Sequence, residues 1–159
     1  MPTRILGFDP GTALTGWGFL TYTAPSSFSD ITCDCITTIP KLDLAERLIQ
    51  IHTQTTRLIT TFKPQAIVVE KLFFNTNAKT AMSVGHARGV LLLAAKQSGI
   101  PIFEYTPLQI KQTITGYGRA DKKQVQFMVK SILKLQEVPK PDDAADALAA
   151  AITHAFTLR

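Results

Sequence analysis

The chain is poor in the residues that build metal or disulfide frameworks: two cysteines, Cys33 and Cys35, and three histidines, His52, His86 and His154, among 159 residues. The cysteines form a C-x-C pair in a Thr-rich apolar stretch, where strand side chains at i and i+2 share a face. The histidines stand too far apart to complete a zinc site, so reduced, partly buried strand thiols are expected. Long apolar runs are missing too. None approaches the ~20 residues of a membrane helix, and the opening MPTRILGFDP lacks a basic region followed by a long apolar one, which predicts a soluble, cytoplasmic protein. There is no linker, repeat or low-complexity tract, so residues 1–159 read as one domain. Acid is scarcer than base, 12 Asp and Glu against 17 Lys and Arg, and the resulting net charge of +5 points weakly to an anionic partner such as nucleic acid.

Three strand signals come first, at residues 4–9, 16–22 and 31–39, separated by Pro10-Gly11 and by Ala24-Pro25-Ser26-Ser27. Links this short favour an antiparallel meander. Asp43 and Glu46 resemble a capping box opening a helix with the apolar stripe Leu44, Leu48, Ile51, Leu58 and Phe62, ended by Lys63-Pro64. A buried strand over residues 66–69 then runs into Glu70. Further helices are expected over residues 75–98, 108–114, 124–135 and 142–158, with a short strand over 100–105 and a basic turn over 116–123. The order predicts an α/β fold, a mixed sheet of about five strands flanked by helices.

Asp9 breaks the oily strand LGFDPG, and an isolated carboxylate there costs several kcal/mol unless something compensates its charge. Glu70 repeats the anomaly at the end of AIVVE. In the last helix, PDDAADALAAAITHAF, Asp143 and Asp146 stand three apart and so share a face. Asp142 and Asp143 also suit the helix N-terminus, at ~0.3–1 kcal/mol each, but Asp146 lies among alanines and Leu148. If the four meet, they form an oxygen-rich site suited to a hard divalent ion such as Mg²⁺. Two ions about 4 Å apart would serve an in-line displacement at phosphorus.

GFDPGTALTGWG, VVEKLFF, HARG, KQTITGYGRADKKQVQFMV and DDAADALAAAITHAF resemble, in order and across nearly the whole chain, the RuvC family of Holliday junction resolvases. The resemblance implies a ribonuclease-H-like fold and a homodimer that nicks four-way DNA junctions symmetrically with Mg²⁺, two per subunit, or Mn²⁺. It implies that Asp9, Glu70, Asp143 and Asp146 are catalytic metal ligands, that Phe73 stacks against or wedges between junction bases, and that Lys111 and Lys122 contact DNA near the active site. By the same likeness either lysine, Lys122 being the one counted as catalytic, can stabilise charge on the scissile phosphate. RuvA and RuvB, the family's branch-migration proteins, are the implied partners, and recombination and repair the implied setting.

On the residues alone, Phe73 and Phe74 read first as satellite core under a loop, and Lys111, Arg119, Lys122 and Lys123 equally as a solvated basic loop or a phosphate-binding one. Gly16 and Gly18 leave room for a backbone or a ligand. Lys79 and Arg88 are weaker DNA candidates, Arg88 being equally suited to holding its helix in place. His86 and His154 read as ordinary structural or surface histidines. The residue 75–98 helix carries apolar surface beyond one core stripe and suits a dimer interface. Three other readings fit parts of the pattern, one of them a related resolvase-like nuclease acting on another branched or RNA-containing substrate. FDPGTALTGWG matches the phosphate-binding opening of the actin and hexokinase superfamily, but 159 residues do not hold the two domains that site needs. A junction-binding module without activity is disfavoured by the intact acidic set.

Overall fold

A computed structural model describes residues 1–71 and 78–158. Strands β1 (Thr3–Asp9), β2 (Leu14–Thr23) and β3 (Ser27–Thr37) form the antiparallel meander, in which Asp9 pairs with Gly16 and Gly16 with Cys35. The third strand starts four residues earlier than the expected 31, because Ser27 already pairs with Thr23 and tightens the hairpin. Helix α1 (Leu44–Phe62) then leads to β4 (Ala66–Glu70), which lies parallel to β1. Helix α2 (Ala78–Gln97) leads to β5 (Ile102–Tyr105), parallel to β4, and the sheet order is β3-β2-β1-β4-β5. Helices α3 (Pro107–Thr115), α4 (Lys122–Ile132) and α5 (Asp142–Thr157) follow.

Local chemistry sets these boundaries. The Asp43 side chain accepts from the Glu46 N–H at the start of α1 while Glu46 reaches back to the Asp43 N–H, and Lys63, with φ 47°, closes the helix before Pro64. A second such box, Asp121 with Gln124, starts α4 two residues before the expected 124. Leu44, expected in the buried stripe of α1, is exposed, whereas Ile51 and Ile59 are buried.

Alternation along β1 divides the core in two. Leu6 and Phe8 join Ile67, Val69, Ile51 and Leu91 under α1 and α2. Ile5 joins Val68, Leu148 and Ile152 under α3, α4 and α5. Gly7 and Asp9 share the Ile5 face, so Asp9 points toward α5. Glu70 shares that face with Val68, and since Phe8 pairs with Val69 the next step brings Asp9 level with Glu70.

Helix α5 lies almost on the sheet. A Cβ at Gly16 would stand 2.0 Å from the Asp143 carbonyl oxygen, and one at Gly18 would stand 2.7 Å from Leu148 Cγ. The room that these glycines leave is taken by a backbone. Alanines line the buried side of α5 and keep the approach close along its length.

Candidate active site

The approach of α5 carries its acidic turn over the ends of β1 and β4. Asp9, Asp143 and Asp146 each offer a carboxylate oxygen, and these oxygens lie within 4.8 Å of one another. Glu70 stands beside them, joined to Asp9 by a hydrogen bond in which the protonated Asp9 donates. Asp9, Glu70 and Asp146 line a cleft of about 280 Å³, with Lys111 and Lys122 on its rim and Pro107, Ile110, Val125 and Ala149 as apolar wall.

The electrostatics are those of buried acids held close together. Burial, then repulsion from Glu70, Asp146 and Asp143, pushes Asp9 up from 3.8 to about 9. Burial and Asp146 push Glu70 up from 4.5 to about 7, against the pull of the Asp9 hydrogen bond, Lys111 and Lys122. Asp146 is also raised by burial, partly offset by Lys122. The Lys122 ammonium lies 3.4 Å from Asp146 and 3.5 Å from Asp142, so these acids raise its pKa in spite of partial burial. An all-oxygen donor set of crowded carboxylates fits a hard divalent cation.

The remaining candidates disperse. Lys123, next to Lys122, lines a different cleft on the other side of the α4 N-terminus, and Arg119 is exposed in the preceding turn. Arg88 forms an ion pair with Glu104 of β5, which fixes α2 to the sheet. His154 is buried, its Nδ1 2.9 Å from the Tyr105 hydroxyl and its ring stacked on Phe103, and burial lowers its pKa. His86 is exposed. Phe73 and Phe74, and the side chain of Lys79, lie outside the described residues. Thr12, in the loop that would cradle a nucleotide in an actin-like protein, is buried and donates to the Ser83 carbonyl at 2.6 Å.

One neighbour of the site escaped the sequence reading. Cys35 lies across Gly16 from Asp9, and burial followed by Asp143, Asp34 and Asp9 pushes its thiol up to about 11. Both cysteines are free and half-buried, as their strand spacing suggests. The pairing of β2 with β3 that brings Cys35 to the acids leaves no local trace in sequence, and this is why it was missed.

Residues 5–154 match the family described as crossover junction endodeoxyribonuclease RuvC. The crossover junction endodeoxyribonuclease RuvC of Pelotomaculum thermopropionicum is 55% identical over 151 residues, 95% of this chain and 92% of the relative. That of Ruminiclostridium cellulolyticum is 55% identical over 150 residues, 94% and 90% of the two chains. The solved structure of Thermus thermophilus RuvC in complex with Holliday junction substrate superposes with a TM-score of 0.92 at 37% identity, covering 99% of this chain and 95% of that one. The sheet order and flanking helices are accordingly ribonuclease-H-like. By family match, by relatives along its length and by fold, the chain belongs to the RuvC family.

Proposed function

We propose that this chain is a structure-selective endodeoxyribonuclease that resolves four-way DNA junctions by symmetric, metal-dependent nicking in homologous recombination and repair. The observation that carries the reading is the convergence of Asp9, Asp143 and Asp146, with Glu70 alongside, at a cleft that Lys111 and Lys122 also line. The names of the relatives, and the junction bound by the Thermus protein, support the substrate.

The four carboxylates would hold Mg²⁺, two ions per subunit, with Mn²⁺ as a substitute. Ions bound there would activate the attacking water and offset charge on the leaving 3′ oxygen. The protein's own groups do the rest. Lys111 beside Glu70, and Lys122 once Asp146 is neutralised, face the scissile phosphate and stabilise the charge it develops. Pro107, Ile110, Val125 and Ala149 narrow the cleft and keep bulk water from the reacting groups. Phe73 stacks at the junction, while Lys123 and Arg119 bind the flanking backbone.

A second subunit matches the two-fold symmetry of the junction and places two sites on strands of like polarity. Met82 and Leu93, exposed on α2 opposite its buried Ala87 and Leu91, supply apolar surface for that contact. We assign the whole of residues 1–159 to one nuclease domain that works in the cytoplasm with RuvA and RuvB. No helix among the described residues is long and apolar enough to cross a membrane.

The test is competition. Offered a four-way junction and a linear duplex of the same arm sequence with Mg²⁺, the protein should nick the junction and spare the duplex. Equal cutting of both would make it a nuclease without structural preference.

A further inference from the structure

We infer that the second cleft, between the turn at residues 116–118 and α4, is a nucleobase-stacking site that holds one unpaired base of the junction beside the scissile phosphate. The inference rests on the reading of the chain as a DNA nuclease and adds a contact to it.

The cleft has a volume of about 410 Å³, in the range that seats small ligands, and its lining includes Tyr117, Lys123, Phe127 and Met128. Tyr117 is 57% exposed and Phe127 63%, unusually open for rings of this size. Neither belongs to the ring pairs formed among the described residues, which use Trp17, Phe19, Tyr22, Phe28, Phe62, Phe103, Tyr105, Phe156 and His154. Their exposure is built in. The Tyr117 N–H donates to Thr115 Oγ1 at 3.1 Å, the Tyr117 carbonyl accepts from the Ala120 N–H at 3.2 Å, and Gly118 is pressed against Leu108. Phe127 stands on the rigid α4, one helical turn beyond Lys123 and on the same face.

Charge decides the occupant. Lys123 lines the cleft and Arg119 is exposed in the adjoining turn, while the one carboxylate present, Asp121, is engaged at 2.8 Å with the Gln124 N–H as the cap of α4. A π face beside cations that form no ion pair among the described residues suits a base with its phosphate, because every base stacks and every linkage is anionic. Position decides which base. Lys122 faces the acidic cleft and Lys123 the second one, so the α4 N-terminus is the wall between them. A strand laid over the carboxylates and continued past this wall meets the rings next.

The test compares wild type with Y117L/F127L, which keeps apolar volume and removes both π faces, and with Y117F/F127Y, which keeps them. Affinity for a four-way junction is measured in Ca²⁺ across a salt series, with sedimentation of each protein alongside. Stacking predicts a roughly tenfold weaker complex for the leucine pair, wild-type affinity for the aromatic swap and an unchanged salt slope, while Lys123→Ala lowers the slope by about one. Wild-type affinity in the leucine pair would overturn the inference, and so would a loss that tracks loss of self-association, which would make the cleft a contact between copies. If wild type itself fails to bind the junction, the proposed function falls and this site with it. If wild type binds and the leucine pair matches it, only this site falls.

Discussion

Asp9 concentrates the conflict between folding and chemistry. Its carboxyl is pushed to about 9 and that of Glu70 to about 7, far above the 3.8 and 4.5 of free groups. Both therefore hold protons in the folded, metal-free chain that the unfolded chain has released. The sign follows directly: this contribution is complete below pH about 4 and is lost as pH rises, through about 7 for Glu70 and about 9 for Asp9. Metal-free protein should thus unfold at progressively lower temperature between pH 5 and 9, and Mg²⁺ should flatten the trend. Asp9→Asn should raise the melting temperature of metal-free protein at pH 8, by roughly 2–4 °C per kcal/mol of burial and protonation cost removed, while abolishing nicking. A lower melting temperature for the variant would mean that the carboxyl is a structural hydrogen-bonding group. These acids were legible in sequence because charge at the end of an oily run violates the strand pattern. Cys35 was not, since it breaks no pattern and reaches the site only through cross-strand pairing.

Among the elements, α5 matters most, because it brings Asp143 and Asp146 to strands that end in Asp9 and Glu70. Its seating depends on absent side chains. Gly16→Ala would drive a Cβ into the Asp143 carbonyl at 2.0 Å, and the helix must move. Overpacking of this kind costs about 1–3 kcal/mol, so denaturation should show that loss. Nicking should fall further than the folded fraction does, because a carboxylate is displaced as well. Asp43→Ala supplies the contrast: losing the α1 cap should cost about 1 kcal/mol and leave the nicking rate per folded molecule unchanged. Capping boxes made α1 readable almost to the residue. For α4 the Asp121 box, unread in sequence, shifts the start to Lys122 and sets the phase that sends Lys122 and Lys123 into different clefts. A basic turn in sequence does not reveal this division, which depends on helix phase.

At the scale of the whole molecule, a meander followed by alternating helices and strands was enough to anticipate a five-stranded mixed sheet. The meeting of the acids needed the fold itself, because residues 9, 70, 143 and 146 are brought together only by β1 lying beside β4 and α5 lying across both. The proposed junction substrate is two-fold symmetric, and a two-fold assembly of the chain would match it. Sedimentation at micromolar concentration should give a dimer, and Met82→Glu with Leu93→Glu should yield monomers that bind junctions more weakly. A monomeric wild type would remove the geometric basis for paired cuts.

The most direct measurement maps nicks on all four strands of an end-labelled mobile junction, in Mg²⁺ and in EDTA, with wild type and Asp146→Asn. We predict paired nicks at equivalent positions on two strands of like polarity, for wild type with Mg²⁺ alone. Binding should persist in every lane, and the Asp146→Asn rate should fall by more than the roughly 10- to 100-fold that an outer-shell change costs at a metal site. Wild-type nicks in EDTA, or Asp146→Asn nicks at the wild-type rate, would contradict a carboxylate-held metal as the source of the activity.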